Sequence, residues 1–115
     1  MTEIDRKALI REYKATPRPA GVFRVRNTAT GRSLVGSSPD LPGMLNRQRF
    51  QLQGGLHPNK ELQRDWNQLG PDAFAFEVLD RVEPKDEPGY DPKEDILVLK
   101  ETRLAKLKAA GESLY

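Results

Sequence analysis

The sequence contains no cysteine and one histidine in 115 residues. A disulfide framework, a Cys-based zinc site and a thiol nucleophile are therefore excluded, and no histidine cluster exists to hold a metal. Any metal would have to rest on carboxylates and water, which points to Mg²⁺-type chemistry. No apolar run approaches the roughly 18 residues of a membrane span. The charged N-terminus does not read as a signal peptide. The expectation is a protein with no membrane partner and a cytoplasmic location, which the lack of cysteine fits. Aromatic residues are scarce, at 7% with a single Trp, and few of them interleave the arginines. Base stacking is expected to be weak.

What is present is charge, unevenly placed. Residues 1–49 carry ten Lys/Arg against four Asp/Glu, and residues 72–95 carry three against nine. Such blocks suggest a basic face for a polyanion beside an acidic flank. The alternative is a solvated surface that is merely asymmetric. The length fits one domain with a modest core.

The chain is organised around residues 21–36. Phe23 and Val25 alternate with Arg24 and Arg26, the period of a half-buried strand. Asn27 and Gly31 bound a turn-rich stretch. Ser33, Leu34 and Val35 make a short returning arm, so the stretch reads as a β-hairpin. Before it, Thr2 and Asp5 have capping-box spacing, and a helix is expected over residues 3–14 as an extension (residues 1–16) of a domain spanning 17–110. Pro17 and Pro19 end that helix. After the hairpin, Asp40 can cap a helix with Pro42 in its first turn and Leu41, Met44 or Leu45, and Leu52 inward. Gly54 and Gly55 stop it. Asn59 can cap a second helix with Leu62, Trp66 and Leu69 on one stripe, and Trp66 is expected to anchor the core. Phe74, Phe76 and Val78 share a face of the best strand, expected beside the hairpin. Residues 83–92 read as an acidic loop. The last helix is expected to bury Ile96, Leu97, Leu104 and Leu107, with Glu101 on that stripe or at its margin, either facing inward or reaching an Arg or solvent at the stripe's edge. Residues 111–115 read as a tail.

Gly21-Val22-Phe23 and Leu34-Val35-Gly36, separated by ten residues, resemble the paired tripeptides that name the GIY-YIG nuclease superfamily. The stretch His57-Pro58-Asn59, then Leu62-Gln63, Trp66-Asn67, Gly70 and Phe74-Ala75-Phe76-Glu77-Val78-Leu79 is similar to the pattern that follows in many such domains. The resemblance implies an α+β fold: a small three-stranded antiparallel sheet flanked by helices, here with an extra N-terminal helix. It also implies phosphodiester hydrolysis with Mg²⁺. The chain departs from the family at the catalytic positions. Phe23 and Leu34 replace the two motif tyrosines. Met44 stands where an arginine steadies the phosphate, and Gln48 where a His or Tyr follows. Glu101 matches the metal-binding Glu. General-base help and a charge on the phosphate are each worth on the order of 10²–10⁴ in rate, so these losses predict little or no cleavage.

Three functions follow as expectations. The first is an inactive or very weak GIY-YIG-like domain that binds nucleic acid, DNA more than RNA, through a basic cleft of Arg24, Arg26, Arg32, Arg47, Arg49, His57 and Lys60. The second is a protein-interaction module on a dead nuclease scaffold. The third is a low-activity Mg²⁺-dependent endonuclease relying on Glu101.

Overall fold

In a computed structural model, residues 19–82, 89 and 91–115 are described. The expected helix over residues 3–14 and most of the acidic loop lie outside them. Three antiparallel strands, Ala20–Asn27 (β1), Ser33–Ser38 (β2) and Phe74–Val82 (β3), form a sheet in the order β2-β1-β3. Three helices flank it: Leu41–Gln53 (α1), Lys60–Leu69 (α2) and Lys93–Ala109 (α3). This is the expected α+β architecture.

The β1–β2 turn closes as its residues dictate. The Asn27 carboxamide oxygen accepts from the backbone N–H groups of Ala29 and Thr30 at 3.0 and 3.3 Å. Gly31 adopts φ +79°, which a glycine takes without strain, and donates its N–H to the Asn27 carbonyl at 2.8 Å. The helix starts also follow the sequence. The Asp40 carboxylate accepts from Gly43 N–H at 3.2 Å, and the Asn59 side chain accepts from Leu62 N–H at 3.0 Å. Each satisfies an N-terminal amide that the helix cannot.

Strand alternation gives the sheet two unlike faces. Phe23, Val25, Leu34, Phe74 and Phe76 share one face, where Leu41 and Leu52 of α1 and Leu62 and Trp66 of α2 complete the main core. Trp66 is the anchor: its ring lies 5.3 Å from that of Phe74 and meets Phe76 edge-on at 6.3 Å. Truncating such a residue costs about 3–5 kcal/mol. The second face carries Val22, Arg24, Arg26, Glu77 and Asp80, and α3 lies across it with Ile96 and Leu107 buried. Charged pairs fasten α3 there. Arg103 donates to both carboxylate oxygens of Asp80 at 2.8 and 2.9 Å, holding the Asp80 carboxyl below its ordinary range. Arg24 pairs with Glu77 and approaches Glu112, just past α3, at 3.6 Å.

The inward stripe of α3 differs from the expected one. Ile96 and Leu107 are buried and Arg103 is half-buried beside Asp80, whereas Leu97 is 49% exposed and Glu101 is exposed. The helix is turned by the Arg103–Asp80 pair, so its contact line runs Ile96–Arg103–Leu107 at i, i+7 and i+11. Glu101 falls well over a quarter-turn away.

The two glycines of the hairpin motif are held by close packing. A Cβ on Gly36 would lie 2.5 Å from the tip of the Phe23 ring, and Phe23 is 3% exposed. A Cβ on Gly21, whose φ is +156°, would lie 2.0 Å from the Asp80 carbonyl oxygen. Gly36→Ala should therefore destabilise by about 1–3 kcal/mol through overpacking. In a thermal-unfolding double-mutant cycle, Phe23→Leu should recover part of that loss. Strict additivity would mean that the ring and the glycine do not compete for the space.

Candidate nucleic-acid interface

The four positions where the sequence resemblance places catalytic groups hold one buried and three half-buried side chains. Phe23 is buried on Gly36, and Leu34 and Met44 pack against the same core. The Gln48 amide nitrogen lies 3.5 Å from the Met44 sulfur, and its oxygen lies 2.5 Å from His57 Nε2. None of the four carries a titratable or nucleophilic group, so they offer no general base and no cation.

His57 is a structural residue and not a surface contact. It is 6% exposed. Its Nδ1 accepts from the Asn59 N–H at 3.0 Å, which assigns the proton to Nε2, the atom that donates to Gln48. No ring nitrogen remains for a phosphate. The neighbouring motif residues complete a clamp. Gln63 accepts the His57 backbone N–H with its side-chain oxygen at 3.0 Å and donates to the Leu52 carbonyl and to Asn67, each at 3.0 Å. The His57, Asn59, Gln63 and Asn67 pattern thus ties the loop between α1 and α2 to both helices. Gln63 carries that function unrecognised in the sequence reading, where only its place in the motif marked it.

The expected basic cleft is not one surface. Arg24 and Arg26 lie on the α3 side of the sheet; Arg24 is paired, and Arg26 Nε is buried with no hydrogen-bond partner among the described residues. Arg32 stands at the hairpin end, paired with Glu61 at 2.6 Å and stacked 4.3 Å from the Tyr115 ring. Arg47, Arg49 and Lys60 are exposed around α1 and the start of α2. Arg49 leans over the Phe76 ring at 4.7 Å, and Arg47 and Lys60 have no ion pair among the described residues. A signal for this grouping is legible in the chain: residues 41–60 contain no Asp or Glu. That stretch presents Arg47, Arg49 and Lys60 with no carboxylate of its own to neutralise them.

Glu101 does not fit the metal role that the resemblance implies. It points away from the sheet, and among the described residues no three His, Cys, Asp or Glu side chains gather as a metal site. The residues 111–115 are more than a tail. Ser33 and Leu114 form a parallel bridge at the edge of β2, and the Tyr115 hydroxyl donates to Asp65 at 2.7 Å while accepting from Asn27 at 3.0 Å. Burial and the Asp65 contact push the Tyr115 phenol above its ordinary range, so it serves as a neutral clasp and not as a base.

Burial lowers the His57 pKa below 6.5. The unfolded chain then takes up a proton as pH falls through about 6.5 while the folded chain resists it. Stability contributed by neutral His57 is full above that pH and declines below it, until the folded form also protonates. Melting temperatures measured from pH 7.5 to 5 should fall, and His57→Ala should flatten that part of the profile while lowering stability at every pH. A parent profile identical to that of the variant would refute the buried neutral imidazole.

No family model matches the chain, and no curated protein does. Two solved structures are similar to it. A point mutant of the catalytic domain of intron endonuclease I-TevI has a TM-score of 0.64 at 22% identity, covering 83% of this chain and 90% of that one. The catalytic domain of homing endonuclease I-TevI has a TM-score of 0.63 at 24% identity, covering 82% and 94%. Sheet order, flanking helices and this likeness agree on one architecture: the chain has the GIY-YIG-like fold.

Proposed function

We propose that this domain binds nucleic acid through the surface of α1 and the α1–α2 loop, and that it has lost phosphodiester hydrolysis. The observation that carries the reading is the carboxylate-free surface of residues 41–60, with Arg47, Arg49 and Lys60 exposed on it. Phosphate contacts release counterions, so such a surface gives salt-sensitive binding. Loss of hydrolysis is supported by the apolar packing of Phe23, Leu34 and Met44 and by the bond of Gln48 to His57. A Mg²⁺-dependent activity of low rate is disfavoured by the outward direction of Glu101. DNA is the first choice of ligand, in line with the endonuclease domains that share the fold.

A second reading, a protein-interaction module, draws on a different surface. Leu97 and Val98 of α3 are 49% and 61% exposed, away from the arginines of α1.

The test is salt-dependent binding to labelled DNA, with the same samples examined for cleavage in Mg²⁺. Binding should weaken steeply with salt and the DNA should stay intact. Arg47→Gln should lower the salt slope by about one, the value of a single phosphate contact. Arg24→Gln, on the α3 face, should leave the slope unchanged and lower the melting temperature. Equal effects of both substitutions on the slope would overturn the α1 assignment. Cleavage abolished by Glu101→Ala would overturn the inactive reading.

A further inference from the structure

The exposed face of α1 carries a residue that its core does not need. Phe50 is 77% exposed, although it lies in the last turn of a well-capped helix whose opposite face buries Leu41 and Leu52. At 100° per residue it falls at the centre of the exposed arc, opposite those leucines. Arg47 lies one turn before it and Arg49 on its other side, with Asn46 and Gln53 along the same arc. Leu56, 81% exposed, is held at the same helix end, since its N–H donates to the Gln51 carbonyl at 2.9 Å. Large apolar side chains this exposed at one helix end gain hydrophobic stabilisation only when a partner covers them.

The surroundings favour one kind of partner. An apolar protein groove would bring no charge to match Arg47 and Arg49, neither of which has a carboxylate within residues 41–60; a second copy of the chain would offer the acids of residues 72–95, and sedimentation tests that occupant. A nucleic-acid strand supplies both halves: phosphates for the arginines and a flat base for the ring. A base within a regular duplex has no free face, so the ring requires a base that is unstacked or unpaired.

We infer that Phe50, between Arg47 and Arg49 on α1 and with Leu56 exposed at the same helix end, is a stacking wedge for an unpaired base, giving this domain a preference for single-stranded or locally opened nucleic acid. The inference rests on the nucleic-acid reading above and adds the class of substrate. It also amends the expectation of weak stacking: aromatics are few in this chain, but one of them stands alone among arginines.

The experiment compares a labelled oligo-dT strand with a duplex of the same length by fluorescence anisotropy at two salt concentrations. The proteins are the parent chain, Phe50→Ala, Phe50→Trp and Arg47→Gln. An exposed site makes the first two variants safe for folding, which circular dichroism checks. The parent should bind the single strand more tightly than the duplex. Phe50→Ala should weaken single-strand binding about 5- to 150-fold, the range of one lost stacking contact, with the salt slope and duplex affinity little changed. Phe50→Trp should retain binding, and its emission should be quenched by oligo-dT, whereas Trp66 is buried and should respond weakly.

If Phe50→Ala binds the single strand as the parent does while Arg47→Gln remains weaker, the wedge is overturned and phosphate binding stands. If the parent binds neither probe at low salt, both readings fall together. If Phe50→Ala converts a dimer to a monomer in sedimentation with DNA affinity unchanged, the patch is a contact between copies and the wedge is overturned.

Discussion

The packing of the Phe23 ring onto Gly36 is the contact on which the rest of this structure depends. It closes the main core over β1 and β2. A glycine on the neighbouring strand leaves a hollow the size of an aromatic ring. Phe fills it, and without an oxygen the ring can sink to 3% exposure. Leu34 and Met44 extend the same apolar layer. The side chains at these positions therefore serve the core, and the scaffold is held there by packing alone.

The second organising constraint is the division of the sheet into an aromatic face and a charged face. β1 is central, so its alternation reaches both layers: Phe23 and Val25 face α1 and α2, while Val22, Arg24 and Arg26 face α3. Ion pairs do on the α3 side what ring packing does on the other. Arg103 with Asp80 ties α3 to β3, while Arg24 pairs with Glu77 across the strands and approaches Glu112 beyond the helix end. These arginines are structural cations, shielded from a polyanion by their own carboxylates and by the helix. Arg47, Arg49 and Lys60 escape that fate because α1 and its loop carry no acid to pair with them.

The clamp of His57, Asn59, Gln63 and Asn67 joins these two themes. It holds the α1–α2 loop in one shape without any charge, since each amide and the imidazole meet complementary partners. A rigid loop keeps Leu56 at the end of α1 and places the exposed Phe50 on a firm base. At the far end, Tyr115 links Asn27 to Asp65 and closes the β2 edge through Ser33. That covers an edge that would otherwise be open to pairing with another strand.

Local signals in the chain determined the elements and their order. Alternation marked β1 and β3, Asn27 and Gly31 the hairpin turn, Asp40 and Asn59 the helix starts, and Leu62 with Trp66 the inward stripe of α2. Each works within a few residues, by backbone geometry, side-chain capping or periodicity, and so is legible without the fold. Tertiary structure alone decided which charges are free. Nothing near Arg24 in sequence reveals that Glu77, fifty-three residues away, will take it. Nothing near Glu101 reveals that an Arg103–Asp80 pair will turn α3 and carry its carboxylate outward. His57 looked like a surface ligand because motif spacing records that a residue is required, and not whether it is required for packing or for contact. Pairing between distant charges and the rotation of a helix about its own axis depend on long-range partners, and those exist only once the sheet has formed.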